Sequence, residues 1–369
     1  MATAAQRRIK SVSYAKYGYI FVAPFFIVYF IFMLWPLIET FILAFHGNGN
    51  SPKLDEAGTS INCFVGLDNF KTILFGGADF KSMGIHERFA RCMGNTVIIW
   101  GGNFLPQIAL SLLLAVWFTD MRVKMPGKGF FKVVMYMPNI ITAASVAGLF
   151  LTLLSDSPYS VANIMLDKLE TSAPGVYGFI EGITNDTMVK DGTFFFSSDK
   201  WSSRIIIMFI QVWMWFGNTM IMLMSGIMGI NPSLFEAANI DGANSTQVFT
   251  KVTLPLLQPI MVYTMITSMI GGLQMFDIPY LYHTAGQKFS RELETVAVYI
   301  YYNFNTGTEA QSNYGYAGAA SIIIFIITAI LGSITFYMNR DKDEIAQKKQ
   351  RKRAMKQYKA KMKKGGLAL

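Results

Sequence analysis

Six stretches of the chain stay apolar for about 20 residues or more, the length a helix needs to cross a hydrocarbon core. They cover 19–45, 96–118, 133–154, 205–230, 260–282 and 314–338. None alternates apolar with polar as a barrel strand does, so each predicts a helix. Pro24, Pro36, Pro106 and Pro138 fall inside these runs. In a bundle they are tolerated, because neighbouring helices can satisfy the carbonyls that proline frees. The first run is too long for a cleaved signal peptide and no small-residue cleavage site follows it, so it is expected to be retained. Between the first two runs, FVGLDNFKTILFGGADFKSMGIHERFA (64–90) has the spacing of a short amphipathic helix on the membrane surface. The longest loop able to fold by itself is 156–203, where short helices are expected.

Composition agrees. Of the 369 residues 52% are hydrophobic and 15% charged, against roughly a quarter charged in a soluble domain. The fold class expected is all-α and integral to the membrane, with six transmembrane helices. Two cysteines exclude a disulfide scaffold. Cys63 and Cys92 both fall on one side, and a disulfide between them that closes the first loop is left open.

Charge changes the picture by position. The tail 339–369 holds twelve Lys/Arg and three acids, an excess equal to the net +9 of the whole chain. The arm 1–18 carries Arg7, Arg8, Lys10 and Lys16 and no acid, and the second connection carries Arg122, Lys124, Lys128 and Lys132 against Asp120. The segment 156–203 has seven acids and three lysines. Lys/Arg in short connections mark the cytoplasmic side, so both termini are expected there, in a plasma-membrane protein whose core is 19–338. Basic residues on one end of an apolar chain are not the footprint of a nucleic-acid binder. The tail is instead expected to rest against anionic membrane lipid.

One polar passage, 231–258, interrupts the apolar rhythm on the cytoplasmic side: NPSLFEAANIDGANSTQVFTKVTLPLLQ. Asn231 suits a helix cap and Pro232 the first helical position. Ala237 and Ala238 allow close approach by another surface, and Glu236 puts a carboxylate near the positive helix end. Gly242 permits a turn that a β-carbon would resist. A second short helix over NSTQVFTKVT, closed by Leu254-Pro255, completes an expected helix-turn-helix bracket joined to two spans.

The bracket resembles the signature of permease subunits in binding-protein-dependent ABC importers. Glu236-Ala237-Ala238, Gly242, Val252 and Leu254-Pro255 stand at the signature's spacings, with Val252 where the family more often has Ile. IFVAPFFIVYFIFMLWPLI, FVGLDNFKTIL, GFFKVVMYMPNII, QVWMWFGNTMIML, GGLQMFDIPYLYHTAG and YGYAGAASIIIFIITAIL are similar to segments of the carbohydrate-importing branch, the maltose and glycerol-phosphate type. The resemblance implies a type I importer permease fold with a cytoplasmic coupling helix. It implies ATPase docking through Glu236, Ala237, Ala238, Asp241, Gly242, Leu254 and Pro255. The partners it implies are a second homologous permease, two ATPase subunits and an external sugar-binding protein. The function it implies is sugar or oligosaccharide import by alternating access. No catalysis is expected of this chain and no cofactor is bound by it, ATP and Mg²⁺ belonging to the partner ATPase. An importer permease for a polyamine, phosphate or amino acid is the alternative, and an ion-coupled carrier a weaker one.

A sugar path wants amides and carboxylates beside aromatic faces. Asn103, Gln107, Asn139, Trp213, Asn218, Gln274 and Asp277 are the candidates, with Gln211 and Trp215 beside them; the plainer reading of each is interhelical hydrogen bonding or an interfacial belt. Glu39 and Asp277 are the clearly intramembrane acids, too few for a proton or sodium relay. GGADFKS (76–82) has Phe80 where a phosphate loop needs Gly before its Lys, and is rejected. His46, His86 and His283 lie far apart without metal-ligand spacing.

Overall fold

The computed structural model describes residues 15–47, 64–77, 80–120, 126–183, 189–190, 193–194, 196, 200–284, 290–305, 313–338 and 350–355. Cys63, Ala78 and Asp79, and all of the tail except 350–355, fall outside these residues. In chain order the helices are α1 (Ala15–Tyr29), α2 (Trp35–Ala44), α3 (Asp68–Phe75), α4 (Phe80–Thr119), α5 (Lys128–Tyr136), α6 (Ala143–Leu153), α7 (Val161–Ser172) and α8 (Pro174–Ile183). After a two-stranded hairpin come α9 (Lys200–Met228), α10 (Pro232–Ile240), α11 (Ser245–Val248), α12 (Leu254–Leu273), α13 (Asp277–Thr284), α14 (Ser290–Leu293), α15 (Val296–Phe304) and α16 (Tyr314–Met338).

Among the described residues, five helical segments are long and apolar enough to cross a membrane, and a sixth crossing is made if the bent pair 128–140 and 143–153 counts as one. That bend, 93°, falls within the expected third span 133–154, which Pro138 breaks rather than merely interrupts. Pro138 and the 3₁₀ turn Met137–Ile140 end α5, and Ile141 turns extended. Thr142 then caps α6 by accepting from the Ser145 N–H. In hydrocarbon a broken helix must satisfy its ends internally, and this cap does so in part.

Two other prolines, Pro36 and Pro255, stay within helical runs for a visible reason. Phe30–Leu34 is a turn of π-helix, and Pro36 follows two residues later. Phe249–Thr253 is another, followed by Pro255. A proline ring collides with the carbonyl four residues back and removes a donor. A widened turn just before it relieves both. This corrects the expectation that Leu254-Pro255 closes the bracket's second helix: helix runs on from Ser245 through the widened turn and α12 to Leu273. The second span likewise begins earlier than expected, because α4 starts at Phe80. The surface segment 64–90 yields only α3 as a separate helix.

The chain divides into two compact units, 1–86 with 300–322, and 87–299 with 323–369. In the first, Gly318 lets α16 approach α2 closely: a methyl there would lie 2.8 Å from the Ala44 nitrogen and 2.9 Å from the Thr40 carbonyl. Small residues that let backbones touch are the usual means of membrane helix packing. Asn69 Nδ2 donates to the carbonyls of Ala44 and His46, both at 2.9 Å, tying α3 beneath α2. His86 Nδ1 donates to the Ile73 carbonyl at 2.9 Å, a structural role.

In the second unit one apolar cluster joins Ile99, Val146, Ile207, Ile210 and Ile278, and another joins Leu114, Phe118, Met220, Leu223 and Leu257. Gly217 on α9 rests on the third span: a β-carbon would overlap the Met135 carbonyl and lie 2.9 Å from the Tyr136 α-carbon. The loop 156–203 forms α7, α8 and the hairpin Val189–Lys190 with Thr193–Phe194. Its pin is the buried Asn163, which accepts from the Phe194 N–H at 2.9 Å and donates to the carbonyls of Ser157 and Phe194.

Candidate functional site

The bracket folds as its letters predict at the near end. Asn231 accepts from the Ser233 N–H at 3.1 Å and opens α10. The helix ends in a Schellman motif. Gly242 is left-handed at φ +76°. Its N–H donates to Asn239, while the Ala243 N–H donates to Ala238 at 2.9 Å. The fixed distance from the alanine pair to Gly242 is thereby explained, since residue C3 and the glycine at C′ of such a cap are four apart. A reciprocal capping box of Asn244 and Gln247 opens α11. No side chain of α10 or α11 is buried, and Ile240 is 86% exposed. Glu236, Ala237, Asp241 and Gly242 are all exposed, and Ala238 is half-buried.

A cavity of roughly 270 Å³ opens between α4, α6, α9, α12 and α13. Asn103, Gln107, Gln211, Trp215, Asn218, Gln274 and Asp277 line it, together with Thr219, Thr264, Thr267 and Ser268. The structure brings together most of the polar residues that sequence reasoning chose, but not all. Trp213 packs edge-on against Phe150 in the apolar cluster, 5.7 Å between ring centres. Asn139 stands in the 3₁₀ turn of the third span, outside the cavity lining. Gln107 Nε2 donates to Thr219 Oγ1 at 2.9 Å, an interhelical bond between two residues of the cavity lining. Glu39 sits on the exposed α2.

The cavity wall depends on a second break. α12 stops at Leu273, and 274–276 runs irregularly before Asp277 opens α13. Irregular backbone at membrane depth is tolerated where it lines a cavity. The Met275 carbonyl, freed by the break, accepts from Thr295 Oγ1 at 2.8 Å. Gly272 just before it lets the Trp100 indole lie against the chain, Nε1 being 2.7 Å from where a β-carbon would stand.

Thr295 is held in turn by a charge cluster that sequence reasoning missed. Arg88 Nε donates to both oxygens of Glu294, at 3.1 and 3.2 Å, and Glu294 is 1% exposed. Asn95 Nδ2 donates to the Glu294 carbonyl at 3.0 Å, and the Thr96 hydroxyl accepts from the Val296 N–H at 2.9 Å. Arg204, buried, donates to Asn95 Oδ1 and to Glu292 at 3.0 Å, with Lys200 3.2 Å from the same carboxylate. Two arginines at the foot of apolar runs and the sequence Arg291-Glu292-Leu293-Glu294 were the available signal. Cys92, in the same region, is buried, and the disulfide with Cys63 left open above involves a residue outside those described.

The model of the binding-protein-dependent transport system inner membrane component matches residues 107–342. The arabinooligosaccharides transport system permease protein AraP of Bacillus subtilis is 26% identical over 76% of this chain and 77% of its own. The lactose transport system permease protein LacF of Rhizobium radiobacter is 25% identical over 93% of this chain and all of its own. Among solved structures, a bacterial ABC transporter involved in import of the acidic polysaccharide alginate has a chain that superposes at a TM-score of 0.66. It is 26% identical and covers 88% of this chain and 95% of its own. The family match spans well over half of the residues and takes in both the bracket and most of the cavity. The chain therefore belongs to the binding-protein-dependent transport system inner membrane components.

Proposed function

We propose that this chain is the permease subunit of an ATP-driven importer that moves a sugar or oligosaccharide across the plasma membrane by alternating access. The observation that carries the reading is the bracket: a capped, sharply turned helix pair with no buried side chain, continuous with the helix that forms one wall of the cavity. It is a surface made for a partner and stiffly joined to the path. Glu236, Ala237, Ala238, Asp241 and Gly242 dock on one of two ATPase subunits, which bind ATP and Mg²⁺, and Leu254-Pro255 joins that foot to the span. This chain performs no bond chemistry. ATP-driven closure of the ATPases moves the foot and tilts the fourth and fifth spans, opening the cavity outward; hydrolysis returns it.

The sugar assignment is supported by the arabino-oligosaccharide and lactose relatives and by a cavity of amides, hydroxyls and one indole. A second homologous permease completes the path, and an external binding protein delivers the cargo. The Lys/Arg pattern supports cytoplasmic termini, with the basic tail on anionic lipid.

The test is to purify the chain with the permease, ATPases and binding protein encoded beside it. A saccharide-loaded binding protein should raise ATP turnover in lipid discs. Uptake by the chain alone in liposomes under an ion gradient, without any ATPase, would overturn the reading.

A further inference from the structure

The cavity has an asymmetry of charge. Among the described residues its polar lining consists of amides, hydroxyls and the single carboxylate of Asp277, with no Lys, Arg or His. Among the described residues no Lys or Arg pairs with Asp277, and Arg88, Lys200 and Arg204 pair instead with Glu294 and Glu292. It opens α13, on the side of the helix break that lines the cavity. A saccharide passing this wall therefore meets hydrogen-bonding groups and one fixed negative charge.

We infer that Asp277 is a charge filter: the path selects uncharged saccharides and rejects uronate-bearing ones. The inference rests on the sugar reading above and narrows it. Neutral hydroxyls can donate to the carboxylate and exchange with the amides of Asn103, Asn218 and Gln274. A sugar carboxylate finds no cation among the described lining residues to replace its lost water, which makes its desolvation costly. It also meets repulsion. Two carboxylates about 6 Å apart at a surface-like dielectric correspond to a discrimination of roughly 100-fold. The alginate importer that shares this fold handles an acidic polymer, so the fold itself does not impose the filter.

The full chain in lipid nanodiscs tests this through Trp215, which lines the cavity. Its fluorescence is taken as the difference from the Trp215→Phe variant and titrated with maltotriose and with trigalacturonate. The readout is the ratio of the two apparent affinities. The native chain should favour maltotriose by roughly 100-fold. Asp277→Glu should keep that preference, and Asp277→Asn should bring the ratio near one. Raising salt should shrink the native ratio, a check that needs no variant. A native ratio near one, or one that Asp277→Asn or salt leaves unchanged, overturns the filter while leaving the sugar path standing. Absence of any Trp215 response to either trisaccharide overturns the filter and the sugar reading of the cavity together.

Discussion

Gly242→Val should abolish saccharide-stimulated ATP turnover in the assembled importer while the chain still inserts in the membrane. The reason is backbone geometry rather than volume, since nothing lies within 4 Å of the β-carbon such a residue would carry. At φ +76° a β-branched residue is strained by about 1–3 kcal/mol. Escape from that strain breaks the hydrogen bonds that Asn239 and Ala238 accept from Gly242 and Ala243. The far half of the bracket then leaves at a different angle, which changes the surface proposed to dock on the ATPase. Gly242→Asn is the matched control, because asparagine tolerates the left-handed region and should retain most of the stimulation. Basal and stimulated turnover, measured with equal chain in the membrane, decide the matter. Normal stimulation of the valine variant would remove the bracket from the coupling path.

Glu294→Ala carries the largest expected loss of stability. It strips both acceptors from the Arg88 side chain and leaves that charge beside a buried region. Removing one member of a buried ion pair costs roughly 3–5 kcal/mol. The lower end applies here, since the Arg88 side chain is 41% exposed and can turn toward water. Thermal unfolding of the purified chain should shift down by several degrees. The change also loosens the segment bearing Thr295, whose hydroxyl holds the Met275 carbonyl at the cavity wall. Stimulated turnover should therefore fall along with stability. Glu294→Gln, which keeps one acceptor, should lose less of both. Unchanged unfolding in Glu294→Ala would mean that the cluster does not hold α4 and the 292–296 segment together.

The existence of the spans was legible because hydrocarbon imposes one simple demand, a long apolar helix, and the chain meets it openly. The cap at Asn231 and the turn at Gly242 were equally legible, because they depend on residues a few positions apart. What escaped depended on partners distant in sequence. Pro138 ends a helix, whereas Pro24 and Pro106 lie inside theirs and Pro36 and Pro255 follow a widened turn, a distinction that the residue type alone does not carry. Trp213 and Trp215 are two apart and so face different ways on one helix; only the fold reveals that the first packs in the core and the second meets the cavity. Glu294 gave little sign of its role, because its partner Arg88 stands more than 200 residues away.

Leu234 and Ile240 stand uncovered on α10, outside every apolar run, in a segment with no buried side chain. A copy of this chain that never meets its companions thus carries a sticky, easily opened flag on its polar side. Quality-control proteases act on such transiently opened segments, so orphan copies should be cleared first at 231–248. Cellular levels of the chain should then follow the supply of its companions, with no dedicated regulator needed to keep the subunits in proportion.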